Sequence, residues 1–388
     1  MNSKSSRSQV HPRPRIAWWL VVLLFWPALQ AVADSGSAAD SAWLTDPYHL
    51  GEGLYFPQQG LRVGGYADMH YYALAHQSGS ASVEDLSLFL TKDIGSSWKV
   101  FNETEISSPL TITGHGVSTS GASLEIERLY ADYFASTWAT IRIGKFLTPI
   151  GEWNLIHADP LVWTTSRPLS TSAAFSRSAN GAMLYGTHTV AHNDLDYTLY
   201  VDDTQALGVV NDADNAYSTY AAVGVPDTLT NTFERAAGGQ LHYHLREDLI
   251  IGTSLVTYEL KDPRAKYRLA GLDFDWQAAG FELSGESVYR SAGRLRITSE
   301  PQTSSESRIS SEYGGYLQVV VPLADQVFFV GRYEHYRSAA LDETDNIETL
   351  GMNYRPTPGL VLKLERDSGT HKSSVILSGW LASFAVLF

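Results

Sequence analysis

Asn353-Tyr354-Arg355-Pro356-Thr357-Pro358-Gly359-Leu360-Val361-Leu362-Lys363-Leu364-Glu365 is the stretch whose reading decides the fold. Leu360, Leu362 and Leu364 share one side of a period-two pattern, and Val361, Lys363 and Glu365 share the other. That alternation predicts a strand with one apolar face and one charged face. Pro356-Thr357-Pro358 predicts a tight turn just before it. Further on, Trp380, Ala382, Phe384, Val386 and Phe388 fall on one face of a last strand.

The same grammar runs back through the chain. Leu86, Leu88 and Leu90 alternate with Ser87, Phe89 and Thr91, and Leu195, Tyr197, Leu199 and Val201 with Asp196, Thr198, Tyr200 and Asp202. Sixteen such runs lie at 61–73, 83–92, 96–107, 123–134, 138–147, 179–188, 193–203, 232–245, 247–259, 266–277, 279–291, 311–321, 325–338, 345–355, 359–368 and 377–388. A soluble sandwich also alternates. Runs of about ten residues suit a bilayer better, since spanning strands need ~9–11 against the usual ~5–6. Connection lengths carry more weight. Every even-numbered run ends in a short turn, whereas the long connections 108–122, 148–178, 204–231 and 292–310 all follow odd-numbered runs. Short turns on one rim and long loops on the other are the pattern of an outer-membrane barrel. The expected fold is therefore all-β: a transmembrane antiparallel up-and-down β-barrel of about 16 strands.

The N-terminus predicts export. Lys4, Arg7, Arg13 and Arg15 precede an apolar run from Ile16 to Leu29, and Ala31-Val32-Ala33 supplies small residues for cleavage. This reads as a signal peptide over 1–33, because spanning as a helix takes ~20 apolar residues. Residues 34–60 fit no run and read as a periplasmic leader; 61–388 is the barrel. The outer membrane of a bacterium is the expected location. Without its four basic leader residues the chain has 24 Lys and Arg against 42 Asp and Glu, a net charge of −18. That argues against nucleic acid as a partner, which basic surface would serve. With no cysteine in the chain, disulfides and thiolate metal sites are excluded.

In such a barrel the polar faces line a water-filled lumen. Seven basic positions (Lys99, Arg128, Arg142, Arg290, Arg332, Arg355, Lys363) meet eleven acidic ones (Asp68, Glu103, Glu105, Asp132, Asp196, Asp273, Asp275, Glu282, Glu286, Glu334, Glu365). Most can simply solvate the wall and pair across strands. Two groups invite more. Arg332, Arg355 and Lys363 lie on three consecutive strands, and Arg128 and Arg142 on two others, so each makes a basic stripe beside acids such as Glu334. Opposed stripes would set a field across a narrow passage. The connection 148–178, third on the exterior side, is the other feature. It holds Trp153, Leu161, Val162, Trp163 and Phe175, which want burial. The expectation is a long third exterior loop folding inward, with Glu152, Asp159, Arg167 and Arg177 as its selectivity residues; the alternative is a lid packed over the barrel mouth with no part in selection.

Arg142-Ile143-Gly144-Lys145-Phe146-Leu147-Thr148-Pro149-Ile150-Gly151 resembles the R-x-G-x-F-x-x-P-x-G segment of phosphate-selective (O/P-type) porin-like outer-membrane proteins. Gly314–Gln318, Phe329–Glu334 and Leu350–Pro356 resemble their late strands. The closing Phe388 resembles the terminal aromatic read by barrel-assembly machinery. The resemblance implies a sixteen-stranded homotrimeric porin with an inward third loop. Phosphate channels of that family use an arginine ladder and a lysine cluster, whereas the lumen here is net acidic. The expected function is passive diffusion of small polar or ionic solutes, with lipid and solute as partners and no cofactor. G-x-S-x-G, H-E-x-x-H and the P-loop pattern are all absent, so no enzyme is expected. His242 and His244 share a strand face but lack an evident third metal ligand. A barrel enzyme of lipase or protease type, or an adhesin-like structural barrel, is the alternative.

Overall fold

The computed structural model describes residues 53–75, 77–156, 158–207, 232–260, 265–291, 294–295, 311–338, 343–370 and 378–388. The expected signal peptide, most of the 34–60 leader, and most of the 204–231 and 292–310 connections lie outside the described residues.

Sixteen long strands close a single antiparallel sheet: β1 (Leu61–Leu74), β2 (Ser80–Ile94), β3 (Trp98–Thr113), β4 (Ser123–Ser136), β5 (Ala139–Leu147), β6 (Ser178–Val190), β7 (Asn193–Asp202), β8 (Phe233–Arg246), β9 (Leu249–Leu260), β10 (Ala265–Ala278), β11 (Phe281–Arg290), β12 (Glu312–Ala324), β13 (Val327–Ser338), β14 (Glu343–Thr357), β15 (Leu360–Thr370) and β16 (Gly379–Leu387). Each pairs with its chain neighbours, and β16 pairs with β1 to close the ring. At the seam Gly65 and Phe388 exchange both backbone hydrogen bonds, at 2.8 Å each. Only glycine fits there: a Cβ on Gly65 would lie 2.1 Å from the Ser87 carbonyl oxygen and 2.9 Å from the Phe388 ring. Full closure leaves no edge strand, which is what a sheet in lipid requires.

The even-numbered strands end in turns of two or three residues. Two of these use consecutive positive φ angles, Ala191 (52°) with His192 (74°) and Ala279 (51°) with Gly280 (83°). That is the twist a two-residue hairpin demands. Several turns sit later than the sequence suggests. Arg246, Pro322–Ala324 and Pro356–Thr357 all belong to strands, with register shifts at His244/Arg246, Pro322/Ala324 and Tyr354/Thr357. A bulge tolerates a residue that cannot donate to the ladder, so proline did not end these strands. Strands β2 and β3 also run past the expected ends, pairing out to Ser80 and Thr113. Within the supposed strandless leader, Leu54–Phe56 pairs with Leu61–Val63 of β1.

The two faces of the wall differ as alternation predicts. Leu88, Leu199, Val201, Leu255, Leu272, Leu317, Leu350 and Leu364 are exposed on the outside. Toward the short turns the outer aromatics include Trp98, Tyr133, Trp138 and Phe281; toward the long connections they include Tyr71, Tyr289, Tyr313 and Trp380. Two such belts match the two interfaces of a bilayer. Inside, Glu103, Asp132, Asp273, Glu286, Arg332, Glu334, Lys363 and Glu365 are buried.

Candidate functional site

The segment 148–177 between β5 and β6 is tied at its base before anything else. The Thr148 amide donates to the Arg177 carbonyl at 2.9 Å, and Asn154 Nδ2 donates to both of those residues' carbonyls, at 2.8 and 2.9 Å. Arg167 reaches back to Asn154 Oδ1 (2.7 Å) and to the carbonyl and hydroxyl of Thr171 (2.8 and 3.1 Å). Arg177 pairs with Glu127 at 3.1 Å. Apart from single helical turns at Trp153–Ile156 and Leu169–Thr171, the described residues of the segment have no regular structure. Its buried backbone therefore needs partners from elsewhere, since an unpaired buried N–H or C=O costs as much as a lost hydrogen bond.

Acidic and basic side chains of the inner wall supply them. Carboxylates cap amides: Glu286 accepts from Glu152 and Trp153 (3.0 and 2.6 Å), Glu365 from Thr165 and Ser166 (2.8 and 2.7 Å), and Glu334 from Ser170 (3.2 Å). Cations cap carbonyls: Arg332 donates to Ser166 (2.8 Å), Arg355 to Pro160 and Val162 (2.8 and 2.9 Å), and Lys363 to Asp159 and Thr164 (2.6 and 3.2 Å). Asn353 and Gln240 add bonds to the Trp163 and Gly151 carbonyls, at 2.7 Å each. Apolar contact completes the attachment. Ile150, Leu169 and Phe175 pack with Val256, Leu269, Val288, Tyr336 and Ile347 of the wall in one buried cluster. Each such side chain contributes about 1.5–3 kcal/mol on burial. Trp153 and Val162 are also buried, whereas Leu161 is half exposed.

Gly151 is where the backbone makes its closest approach. Its φ is +64°, and a Cβ would lie 2.0 Å from Glu286 Oε2. Only glycine permits both the turn and the carboxylate beneath it.

The predicted site residues thus divide into two groups. Asp159, Arg167, Arg177, Arg332, Glu334, Arg355 and Lys363 are engaged in holding the segment, and Arg355 also borders a cavity. Arg128 and Arg142 line a cavity of about 230 Å³ together with Leu147, Pro149, Leu155 and Tyr185. Both are compensated across strands: Arg128 by Glu103, and Arg142 by Asp132 through two bonds of 2.8 and 2.9 Å. Glu152 and Arg355 line a second cavity of about 310 Å³, with Asp275, Glu282, Trp153, Trp163 and Tyr316. Trp163 Nε1 donates to Glu282 at 2.9 Å. Among the described residues, no Lys or Arg forms an ion pair with Glu152, Asp275 or Glu282. Burial, with Asp275 beside it, pushes the Glu152 carboxyl above its ordinary range. Asp159 goes the other way. Burial opposes its charge, but Lys363 and His70 beside it hold the carboxyl well below the usual range.

Sequence reasoning placed Glu286, Glu365 and Asp275 in the lumen without giving them a task, and it did not single out Asn154, Asn353 or Gln240. An asparagine with both ends of a loop to hold carries no sequence signal beyond its type. His242 and His244 do not converge; they pair separately with Asp273 (2.7 Å) and Asp196 (2.8 Å).

No protein-family model matches the chain. An uncharacterized protein of Aquifex aeolicus (strain VF5) is 22% identical over 351 residues, covering 80% of this chain and 76% of that protein. Among solved structures, an anion-selective porin from Comamonas acidovorans aligns with TM-score 0.56 at 14% identity, covering 84% of this chain and 99% of that one. It has a porin fold. OmpF of Salmonella typhi, in a complex with daunomycin, aligns with TM-score 0.56 at 9% identity over 86% and 99% of the two chains. The trimer form of OmpT, an outer-membrane protein of Vibrio cholerae, aligns at 0.54 and 9% over 84% and 99%.

Proposed function

We propose that this chain is a bacterial outer-membrane channel through which small polar or ionic solutes diffuse passively, narrowed by the segment 148–177 lying within the lumen. The observation that carries the reading is the charge balance left beside that segment. Arg332, Arg355 and Lys363 are committed to its carbonyls, and Arg128 and Arg142 are matched by acids. Glu152, Asp275 and Glu282 stand around a cavity with no matching ion pair. These three carboxyls against the one guanidinium of Arg355 make a net acidic wall, which favours cations. The anion selectivity in the name of the Comamonas porin, and the phosphate preference of the family that 142–151 resembles, therefore do not extend to this chain. The reading includes export through a cleaved signal over 1–33, a periplasmic leader to residue 60, short turns facing the periplasm, no catalytic role, and a homotrimer embedded in outer-membrane lipid.

Reconstitution in a planar bilayer tests it. Stepwise ohmic conductance, with a reversal potential in a salt gradient that favours the cation, is the expected result. Excising 152–165 should raise the conductance. A tight membrane at every protein concentration would reject the channel.

A further inference from the structure

Asp68 and His70 are two residues apart in β1, so the strand period sets both on the inner face. Asp159 comes to them from the segment 148–177. His70 Nε2 lies 3.8 Å from Asp68 Oδ1 and 3.5 Å from Asp159 Oδ1. One ligand atom from each residue can be chosen so that all three lie within 4.8 Å of one another. Zinc–ligand bonds of about 2.0–2.2 Å imply tetrahedral edges of roughly 3.3–3.6 Å. The two His70 distances are close to that, and the edge between the two carboxylates, within 4.8 Å, would close by up to about 1 Å on binding.

Two buried atoms here lack a hydrogen-bond partner. Asp68 Oδ2 and His70 Nε2 are both unpartnered, in residues that are 3% and 8% exposed. The other polar atoms of the same side chains are satisfied in a way that aims the free ones. Tyr72 Oη holds His70 Nδ1 at 2.9 Å, which turns Nε2 toward the two acids. The Asp85 amide donates to Asp68 Oδ1 (3.1 Å), and Ser383 Oγ to Asp159 Oδ2 (3.1 Å). Outer partners of this kind are what orient metal ligands.

We propose that Asp68, His70 and Asp159 bind one divalent transition-metal ion of the zinc class, fastening the segment 148–177 to the first strand. Lys363 sits 3.0 Å from Asp159 Oδ1 and keeps its bonds to the Asp159 and Thr164 carbonyls. It holds the Asp159 oxygen that faces His70, so the ion must share that carboxylate with the ammonium. The rival occupant is a proton on His70, bridging the two carboxylates.

The test is direct binding, independent of whether the barrel conducts. Tag-free mature chain, refolded in detergent, is titrated with Zn²⁺ by calorimetry. One saturable site per chain is expected, with affinity reduced at least about tenfold in His70→Gln and in Asp68→Asn. X-ray absorption should show one nitrogen and two carboxylate oxygens at about 2.0–2.2 Å. Asp68→Asn keeps the comparison available if His70→Gln does not fold. Uptake that is absent in the wild type, or unchanged in both variants, overturns the proposal and leaves the protonated histidine as the occupant.

Discussion

Two arcs of the inner wall carry the same residue types and use them differently. On β3–β5, Arg128 answers Glu103 and Arg142 answers Asp132, strand to strand. Their guanidinium groups also lie over rings, Arg142 at 3.6 Å from the centre of Tyr130 and Arg128 at 4.8 Å from that of Phe101. On β11–β15, Glu286, Arg332, Glu334, Arg355, Lys363 and Glu365 reach away from the wall to the backbone of 148–177. The contrast teaches that a lumenal charge takes its role from what lies beside it. A segment without secondary structure presents unpaired amides and carbonyls, and the wall it rests on is drawn into satisfying them.

Arg332→Ala should break this contrast most visibly. It removes a 3% exposed guanidinium that holds Thr164 Oγ1, the Ser166 carbonyl and Ser166 Oγ at 2.5, 2.8 and 2.7 Å. Deleting one partner of a buried charged network costs about 3–5 kcal/mol. Hydrogen exchange should rise over 159–171 while the strand ladders stay protected. Arg142→Ala, whose side chain is 20% exposed, should cost less, about 1–3 kcal/mol, because Asp132 loses its two bonds. Equal losses at the two positions would mean that the arcs do not differ.

Gly151→Ala sharpens the same point with a single methyl. The new Cβ would meet Glu286 at 2.0 Å in a backbone conformation that L-residues avoid. A cost of about 1–3 kcal/mol is expected, read as a lower melting temperature and faster amide exchange at 150–154. Glu286→Ala in the same background should not restore stability, because it strips the cap from the Glu152 and Trp153 amides.

The barrel was largely legible in the sequence because its rule is local. Period two and turn length decide which face meets lipid, and Leu360, Leu362 and Leu364 show this within one strand. The errors fell on Pro322 and Pro356, where a bulge absorbed the missing donor. The candidate site was legible only as a list of inward charges. Whether Arg332 faces solute or a carbonyl depends on a segment about 165 residues earlier in the chain, and no pattern around Arg332 records that. Asn154, which ties both ends of the segment, was invisible for the same reason.

Selectivity separates the arcs without disturbing the fold. Asp275→Asn and Glu282→Gln remove charge from the wall that lacks ion pairs. Together they should reduce the cation-to-anion permeability ratio severalfold, because interior charges are screened only over about 8–10 Å. Arg142→Ala should shift it the other way and by less, since one carboxylate, Asp132, is left without its partner. Reversal potentials in a tenfold salt gradient would measure both. A larger shift from Arg142 would place the selective wall on β3–β5 instead.

The smallest effect is the pH dependence contributed by Glu152. Burial first, then the charges of Asp275 and Asp273, raise its carboxyl above the ordinary range, and His242 only partly opposes them. A raised carboxyl takes up its proton earlier as pH falls, so its negative charge is lost before that of an exposed glutamate. Cation preference should therefore begin to decline above the usual carboxylate range, about 4.3, and Glu152→Gln should remove part of that decline. One charge among several changes the permeability ratio by less than about twofold. The decisive comparison is thus the shape of the titration in wild type and variant. Identical curves would mean that Glu152 faces the segment's own packing and not the passage.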